Sequence, residues 1–303
     1  MKFEITILGS GAAIPTLTRQ ATSQFINCNE RYILIDCGEG SQLQMRKFQV
    51  KFQKIQIILI SHLHGDHFFG LVGLLSSMHL MGRTQKMLIF GPKALEGLIR
   101  PQLEVGGHQL CYEIEFQEID YPEIRLLWED KLLKIETFPL KHRIPTQGFL
   151  ISEKPKPKNL NKDYFDQLNL SLTKIPAIKR GEDVTLKDGT IISNDDLTFG
   201  SLPVKKYAYC SDTMYWETII PHIKEVDLLY HEATFTDKLK DRAKMTFHST
   251  AKQAATIAHS ANVGKLLLGH FSSRYENTND HLKEATSVFE NTVCVEDGET
   301  YSI

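Results

Sequence analysis

Four residues of metal-binding type fall within six positions at His62-Leu63-His64-Gly65-Asp66-His67. Three imidazoles and a carboxylate make a good ligand set for a borderline ion such as zinc. The pairs His62/His64 and Asp66/His67 can face two different ions. The ordinary alternative is a run of solvated or helix-capping histidines. Four ligand-type side chains seldom converge this closely by chance.

The cluster needs partners. A centre that holds both a metal and a reactive water takes further ligands from elsewhere while keeping one position open. Three residues downstream follow apolar runs that read as strands. His142 follows the alternating Leu133–Leu140 segment, Asp212 follows Lys206–Cys210, and His270 follows Lys265–Gly269. Each alone reads as an ordinary polar loop residue. Together they form the expected remainder of one site.

These residues need a scaffold to position them. Ile55–Ile60 is a short β-branched apolar run, the signature of a buried strand, and a Leu- and Met-rich helical segment follows His67. The cluster therefore lies where a strand hands over to a helix, a position at which rigid scaffolds mount chemistry. Strand patterns occupy 2–8, 23–28, 31–36, 55–60, 111–120, 131–138, 146–152, 226–230 and 265–268. Helical patterns occupy 39–48, 68–80, 92–100, 215–222, 249–260 and 280–291. This alternation predicts an α/β sandwich of two sheets covered by helices. Asp188-Gly189 and Asp297-Gly298 are hairpin-turn signals without assigned chemistry.

At 303 residues, with 42% hydrophobic and 24% charged residues, the chain has material for a large core. Its five cysteines are scattered with no CxxC, which argues for a reducing, cytoplasmic setting and against a thiolate zinc site. The N-terminus alternates like a strand and is not a signal peptide. No apolar run approaches the roughly 20 residues that span a bilayer.

The order HxHxDH, His, Ser211-Asp212-Thr213, Gly269-His270-Phe271-Ser272 resembles the metallo-β-lactamase fold superfamily. More narrowly, Leu8–Thr16, Leu34–Gln42, His231-Glu232-Ala233-Thr234-Phe235, His248 and Gly269–Tyr275 resemble the short form of the RNase Z family. That resemblance implies a four-layer αβ/βα sandwich, with residues 1–303 as a single domain and an inserted flexible tRNA-binding arm at about 153–190. It implies a zinc-dependent endoribonuclease that removes the 3′ trailer from precursor tRNA, leaving a 3′-hydroxyl on the tRNA and a 5′-phosphate on the trailer. Two Zn2+ per chain are implied. His62, His64 and His142 hold one, Asp66, His67 and His270 hold the other, and Asp212 bridges them. Asp66 also orients or deprotonates the attacking water. His248 is the implied acid at the leaving 3′ oxygen, and Glu232 orients it. A neighbour of a helix N-cap and a solvated carboxylate are the ordinary readings of these last two residues. Asp36 and Glu39 are candidate partners for metal-bound histidines. Arg274 is a candidate phosphate contact. His79, His108, His222, His259 and His281 match no motif position and read as structural or solvated. The family's short form is typically a homodimer.

The net charge of −2 does not advertise an RNA binder. Residues 153–180, however, carry seven basic against three acidic side chains and open with Lys154-Pro155-Lys156-Pro157-Lys158, a composition that favours an extended chain. Lys156, Lys158, Lys179 and Arg180 are the candidate RNA contacts. The arm lacks the family's usual Gly-Pro element and has Thr173–Gly181 in its place. The alternative activity is that of another binuclear zinc phosphodiesterase or hydrolase of this fold acting on a small ester. A redox module is disfavoured, because diiron relatives carry a Glu where this chain has His64.

Overall fold

The computed structural model describes residues 2–105, 110–156, 158–200 and 203–303. His108 and Pro157 lie outside the described residues. The chain divides into two compact units. One comprises residues 1–129, 134–151 and 205–303; the other comprises 130–133 and 152–204.

The larger unit is built on two seven-stranded sheets. In chain order the strands are β1 (Phe3–Gly9), β2 (Ser23–Cys28), β3 (Arg31–Ile35), β4 (Ile57–Leu59), β5 (Met87–Gly91), β6 (Ile114–Glu118), β7 (Arg125–Glu129), β8 (Leu133–Pro139), β9 (Gln147–Glu153), β10 (Lys206–Cys210), β11 (Leu228–Glu232), β12 (Lys265–Gly269), β13 (Thr292–Cys294) and β14 (Thr300–Ser302). The first sheet runs β14-β1-β2-β3-β4-β5-β6, and the second β13-β12-β11-β10-β9-β8-β7. Strands β3 to β6 are parallel, as are β10 to β13. Parallel strands covered on both faces read as continuous apolar runs, and Ile57-Ile58-Leu59 and Leu266-Leu267-Leu268 are such runs, all buried.

Helices cover each sheet. On the first, Met45, Leu71, Leu74, Leu75, Met78 and Ile99 from helices 41–47, 71–80 and 95–104 pack with Leu34, Ile58 and Ile89. On the second, Ala251, Ala254, Ala255 and Ala258 of helix 251–260 pack against Leu229, Leu266 and Leu268. Small alanines let that helix approach closely, and a capping box between Thr250 and Gln253 starts it. Between the sheets, Tyr207 donates to Gln24 and Tyr209 donates to Asp36 at 2.7 Å. This is the αβ/βα sandwich. No helix among the described residues is long and apolar enough to cross a membrane.

Some elements differ from the sequence expectation. Helix 68–80 is two pieces, Gly65–Phe68 and Leu71–Leu80, separated at Gly70. A Cβ there would sit 2.2 Å from the Gly38 carbonyl oxygen, so the glycine permits that close approach. The 215–222 helix is a 3-10 segment, Glu217–His222, with Pro221 inside. Strand β5 is absent from the sequence expectation, because an uninterrupted apolar run has no period to distinguish strand from helix.

The smaller unit folds around Phe165, Ile178, Val184 and Leu197. Helices Lys162–Gln167, Ile175–Lys179 and Asn194–Leu197 surround that core, the first capped by Asn161 and the last by Ser193. Asp188-Gly189 turns the hairpin between Val184–Thr185 and Ile191–Ile192 as expected, with Gly189 at φ 87°. The unit runs to residue 204, beyond the expected 190. That boundary changes its charge: 130–133 and 152–204 carry nine Lys/Arg and nine Asp/Glu. The basic character of 153–180 is thus offset by the acids that follow it.

Candidate metal centre

The ligand-type residues sit on turns at the ends of strands. Asp212 lies two residues beyond β10, His270 follows β12, and Glu232 ends β11, so three parallel neighbours deliver their side chains to one edge. From the first sheet, His62 lies three residues beyond β4 and Asp36 immediately follows β3. Asp36, Asp212 and His270 all have left-handed backbone, with φ 55°, 44° and 58°. Such positions cost roughly 1–3 kcal/mol each for non-glycine residues and gather at functional sites. Gly38 lets the helix 65–68 loop close over this edge: a Cβ would meet the Asp66 carbonyl oxygen at 2.3 Å.

The structure brings together all seven expected ligand residues, in two nests. In the first, His64 Nδ1 lies 3.0 Å from His62 Nε2 and 3.3 Å from His142 Nε2. Asp212 Oδ2 lies 3.5 Å and 3.6 Å from His62 Nε2 and His142 Nε2. In the second, Asp212 Oδ1 lies 3.1 Å from His67 Nε2 and 3.0 Å from His270 Nε2, and Asp66 Oδ2 lies 3.6 Å from both. Four donors placed tetrahedrally at about 2.0–2.1 Å from one ion stand about 3.3 Å apart. Both nests have that spacing, and Asp212 gives one oxygen to each.

The surrounding hydrogen bonds fix which nitrogens carry lone pairs. His67 Nδ1 donates to Asp36 Oδ2 at 2.7 Å, and His142 Nδ1 donates to the Phe247 carbonyl at 2.9 Å. Ser61 Oγ donates to Asp36 Oδ2, which leaves it to accept from His62 Nδ1 at 3.1 Å. Thr234 Oγ1 donates to Glu232 Oε2 and accepts from His270 Nδ1 at 2.9 Å. In these four rings Nε2 is the bare atom facing the nest, and such outer partners orient ligands. Among the described residues, the buried Nε2 of His67 and of His270 makes no hydrogen bond of good geometry, although Asp212 Oδ1 stands beside both.

The electrostatics also call for a cation. Burial holds His62 down at about 4, and burial lowers His64 and His142 as well, which keeps these imidazoles neutral. Burial opposes charge on His67 too, but Asp212, Asp36 and Asp66 outweigh it and raise its pKa well above the ordinary value. Buried anions crowd this edge, and only positive charge among them relieves the cost. The donor set, spacing and charge fit metal ions.

Beside the nests, fully buried Glu232 accepts five hydrogen bonds. These come from Thr213 N at 2.8 Å, His248 Nδ1 at 2.8 Å, Thr234 Oγ1 at 2.6 Å, Thr234 N at 3.2 Å and Ser249 N at 3.1 Å. It is not a solvated carboxylate. Burial works against charge on His248, yet Glu232 outweighs it and pushes the imidazole up to about 9. The His248 ring packs 5.1 Å from His142 and 5.5 Å from His270 and opens onto the cleft. Thr250, not His248, caps the helix that follows.

A cleft of about 640 Å³ opens over the nests, lined by His64, Asp66, Phe69, Arg242, His248 and Arg274, among others. The Arg274 guanidinium lies 5.2 Å over the Phe235 ring and donates to Ser272 Oγ at 2.9 Å. Neither it nor Arg242 has a carboxylate partner among the described residues. Glu39 lines the cleft without bonding a histidine; Asp36 alone takes that expected role. His79 accepts from Cys111 N, His222 stacks on Phe138, His259 is exposed and His281 is buried between Phe271 and Tyr275; none joins the centre. In the smaller unit, Lys156 pairs with Glu153 at 3.1 Å, Lys158 with Asp195 at 2.7 Å and Arg180 with Glu182 at 2.8 Å. Those cations are partly neutralised where they stand. Sequence reasoning missed Thr234, Ser61, Tyr209 and the Phe247 carbonyl as supports.

The family model described as anti-Pycsar protein Apyc1 matches residues 3–154. Ribonuclease Z of Phocaeicola vulgatus is 48% identical over 292 residues, covering 96% of this chain and 94% of that protein. Ribonuclease Z of Parabacteroides distasonis is 46% identical over 301 residues, covering 99% of both. Among solved structures, the short form of human tRNase Z superposes with a TM-score of 0.72 at 28% identity, covering 99% of each chain. The metallo-β-lactamase fold protein YhfI of Bacillus subtilis gives 0.70 at 18% identity over the full length of both, a likeness of fold.

Proposed function

The chain belongs to the ribonuclease Z family, its residues 3–154 also to the family of the anti-Pycsar protein Apyc1, and on that premise we propose how its centre works. It is a hydrolase, a tRNA 3′-processing endoribonuclease that uses metal. Our reading assigns two zinc ions. His62, His64 and His142 hold the first, Asp66, His67 and His270 the second, and Asp212 bridges them. The observation that carries this reading is the division of Asp212, with Oδ1 toward one nest and Oδ2 toward the other. Bound there, zinc would make a water acidic enough to attack at neutral pH and would neutralise charge on the scissile phosphate.

The chain's own groups do the rest. Asp66 keeps a carboxylate oxygen at the second nest to orient and deprotonate the attacking water, and it is held by Ala13 N at 2.7 Å. Protonated His248, charged by Glu232, gives its proton to the leaving 3′ oxygen, so the tRNA departs with a 3′-hydroxyl and the trailer keeps the 5′-phosphate. Arg242 and Arg274, unpaired at the cleft, take backbone phosphates in forked contacts. The 152–204 unit is the arm that grips tRNA elsewhere, with Lys156, Lys158, Lys179 and Arg180 as its contacts. Three of those four must exchange an internal acid for a phosphate. A homodimer, as in the family's short form, completes the reading, in a reducing cytoplasm to which five scattered cysteines with no CxxC point. The small-ester alternative is disfavoured because relatives named ribonuclease Z match over nearly the whole chain, whereas the Apyc1 match stops before Asp212.

Elemental analysis of gently purified protein tests the centre. We expect about two zinc ions per chain. Full activity with fewer than one would overturn the two-ion reading.

A further inference from the structure

We infer that Asp297, in the connection between β13 and β14, is a positioning residue that sets the second nest and not the first. The inference rests on the two-nest reading above. This connection is where the chain passes from the second sheet to the first. Gly298 N donates to the Ile7 carbonyl at 2.7 Å and Ile7 N donates to the Glu299 carbonyl at 2.9 Å, so the turn is clipped to β1. From there the Asp297 carboxylate gathers four donors. Oδ1 accepts from Ser10 N at 2.9 Å and Ser10 Oγ at 2.7 Å. Oδ2 accepts from Gln20 N at 2.7 Å and Gln44 Nε2 at 3.2 Å. Both ends of the 10–20 loop are thereby fixed by one side chain.

That loop touches the second nest twice. The Ser10 carbonyl accepts from Phe271 N at 2.9 Å, and Gly11–Ala12 then pairs in parallel with Phe271–Ser272. This pairing begins one residue after His270. Ala13 N, next along the loop, donates to Asp66 Oδ2 at 2.7 Å, with Ala13 in a left-handed conformation, φ 63°. His270 and Asp66 are thus both steered by the loop that Asp297 anchors. The first nest has other supports: His62 rests on Ser61 and His142 on the Phe247 carbonyl, neither of which touches the loop. A rigid outer support of a ligand typically contributes about 10–100-fold to metal affinity. Asp297 acts through intervening groups, which places the expected effect at about 10-fold.

The test is cobalt(II) titration of metal-free protein, followed by visible absorption, for wild type, Asp297→Asn and Glu296→Gln. Asn keeps the shape but turns an NH2 toward one of the two pairs of donors, Ser10 N and Oγ or Gln20 N and Gln44 Nε2. Glu296 lies in the same turn; among the described residues its exposed side chain reaches the loop only by an ion pair with Arg19 at 3.2 Å, weak enough for the loop to hold without it. Wild type and Glu296→Gln should take two ions alike. Asp297→Asn should fill its first position with unchanged affinity and its second about 10-fold more weakly. Ser10→Ala, which deletes one of the four hydrogen bonds, should shift the second position in the same direction by less, and it serves if Asp297→Asn does not fold. Two unchanged positions in Asp297→Asn, or equal weakening of both, would overturn the inference while the two-nest reading stands. A wild type that takes a single ion would refute that reading, and the inference with it.

Discussion

Glu232→Gln is the substitution whose consequence follows most closely from the geometry. The native carboxylate takes two donors on Oε1, Thr213 N and His248 Nδ1, and three on Oε2, Thr234 Oγ1, Thr234 N and Ser249 N. A glutamine has one oxygen, so it settles with that oxygen on the three-donor side. Thr234 then keeps its acceptor, His270 keeps Thr234, and the metal nests keep their ligands. The amide NH2 falls opposite Thr213 N and His248. Thr213 N is left buried without an acceptor, a loss of about 1–3 kcal/mol in stability. His248 loses the anion that holds it protonated and turns its bare Nδ1 to the amide. The neutral imidazole still carries a hydrogen on Nε2, but without the positive charge it is far too weak an acid to protonate the leaving oxygen. Loss of a general acid costs about 10²–10⁴-fold, or roughly 2.7–5.5 kcal/mol of barrier. The assay is single-turnover cleavage of a precursor tRNA, alongside metal content and thermal unfolding of the same preparation. Turnover within a few-fold of wild type would refute the role given to Glu232. Loss of metal together with activity would show that it acts through His270 instead.

Asp212→Ala should empty both nests and abolish cleavage, because each nest loses a carboxylate oxygen and the shared anion that offsets the ions' charge; a protein that kept two ions and near wild-type turnover would contradict the bridging role. Replacing Arg242 and Arg274 together by Ala should raise KM for precursor tRNA and reduce the slope of log affinity against log salt by about 0.9 for each phosphate no longer neutralised. Lys158→Ala should reduce it less, since Lys158 already holds Asp195; the reverse order would move the main phosphate-binding groups from the cleft to the smaller unit.

The seven residues proposed as ligands were legible in the sequence because each stands at or just after the end of an apolar strand, and four of them share one loop. The proposed acid His248 and its partner Glu232 were legible only through family resemblance. Nothing local in their sequence says that five donors converge on Glu232. Thr234, Tyr209 and Asp297 escaped for a related reason: Thr234 joins the ends of neighbouring strands, and Tyr209 and Asp297 act across sheets, through hydrogen bonds that close only in the folded chain. Asp297 was visible as the first residue of a turn signal, and that is all a two-residue pattern records. The charge of the 152–204 unit is overstated by a window ending at Arg180, which excludes Glu182, Asp183, Asp188, Asp195 and Asp196. Lys158 and Asp195 meet across 37 positions of chain. No composition window reports such a pair.

As a member of the ribonuclease Z family, the protein cuts precursor tRNA at the 3′ end of its mature sequence. The most direct test incubates zinc-loaded protein with an end-labelled precursor carrying a 3′ trailer and maps both products and their termini. The expected result is one cut, a 3′-hydroxyl on the tRNA, a 5′-phosphate on the trailer, and no cleavage by Asp212→Ala. An intact precursor beside efficient hydrolysis of a small phosphodiester, or a cyclic phosphate at the tRNA end, would contradict it.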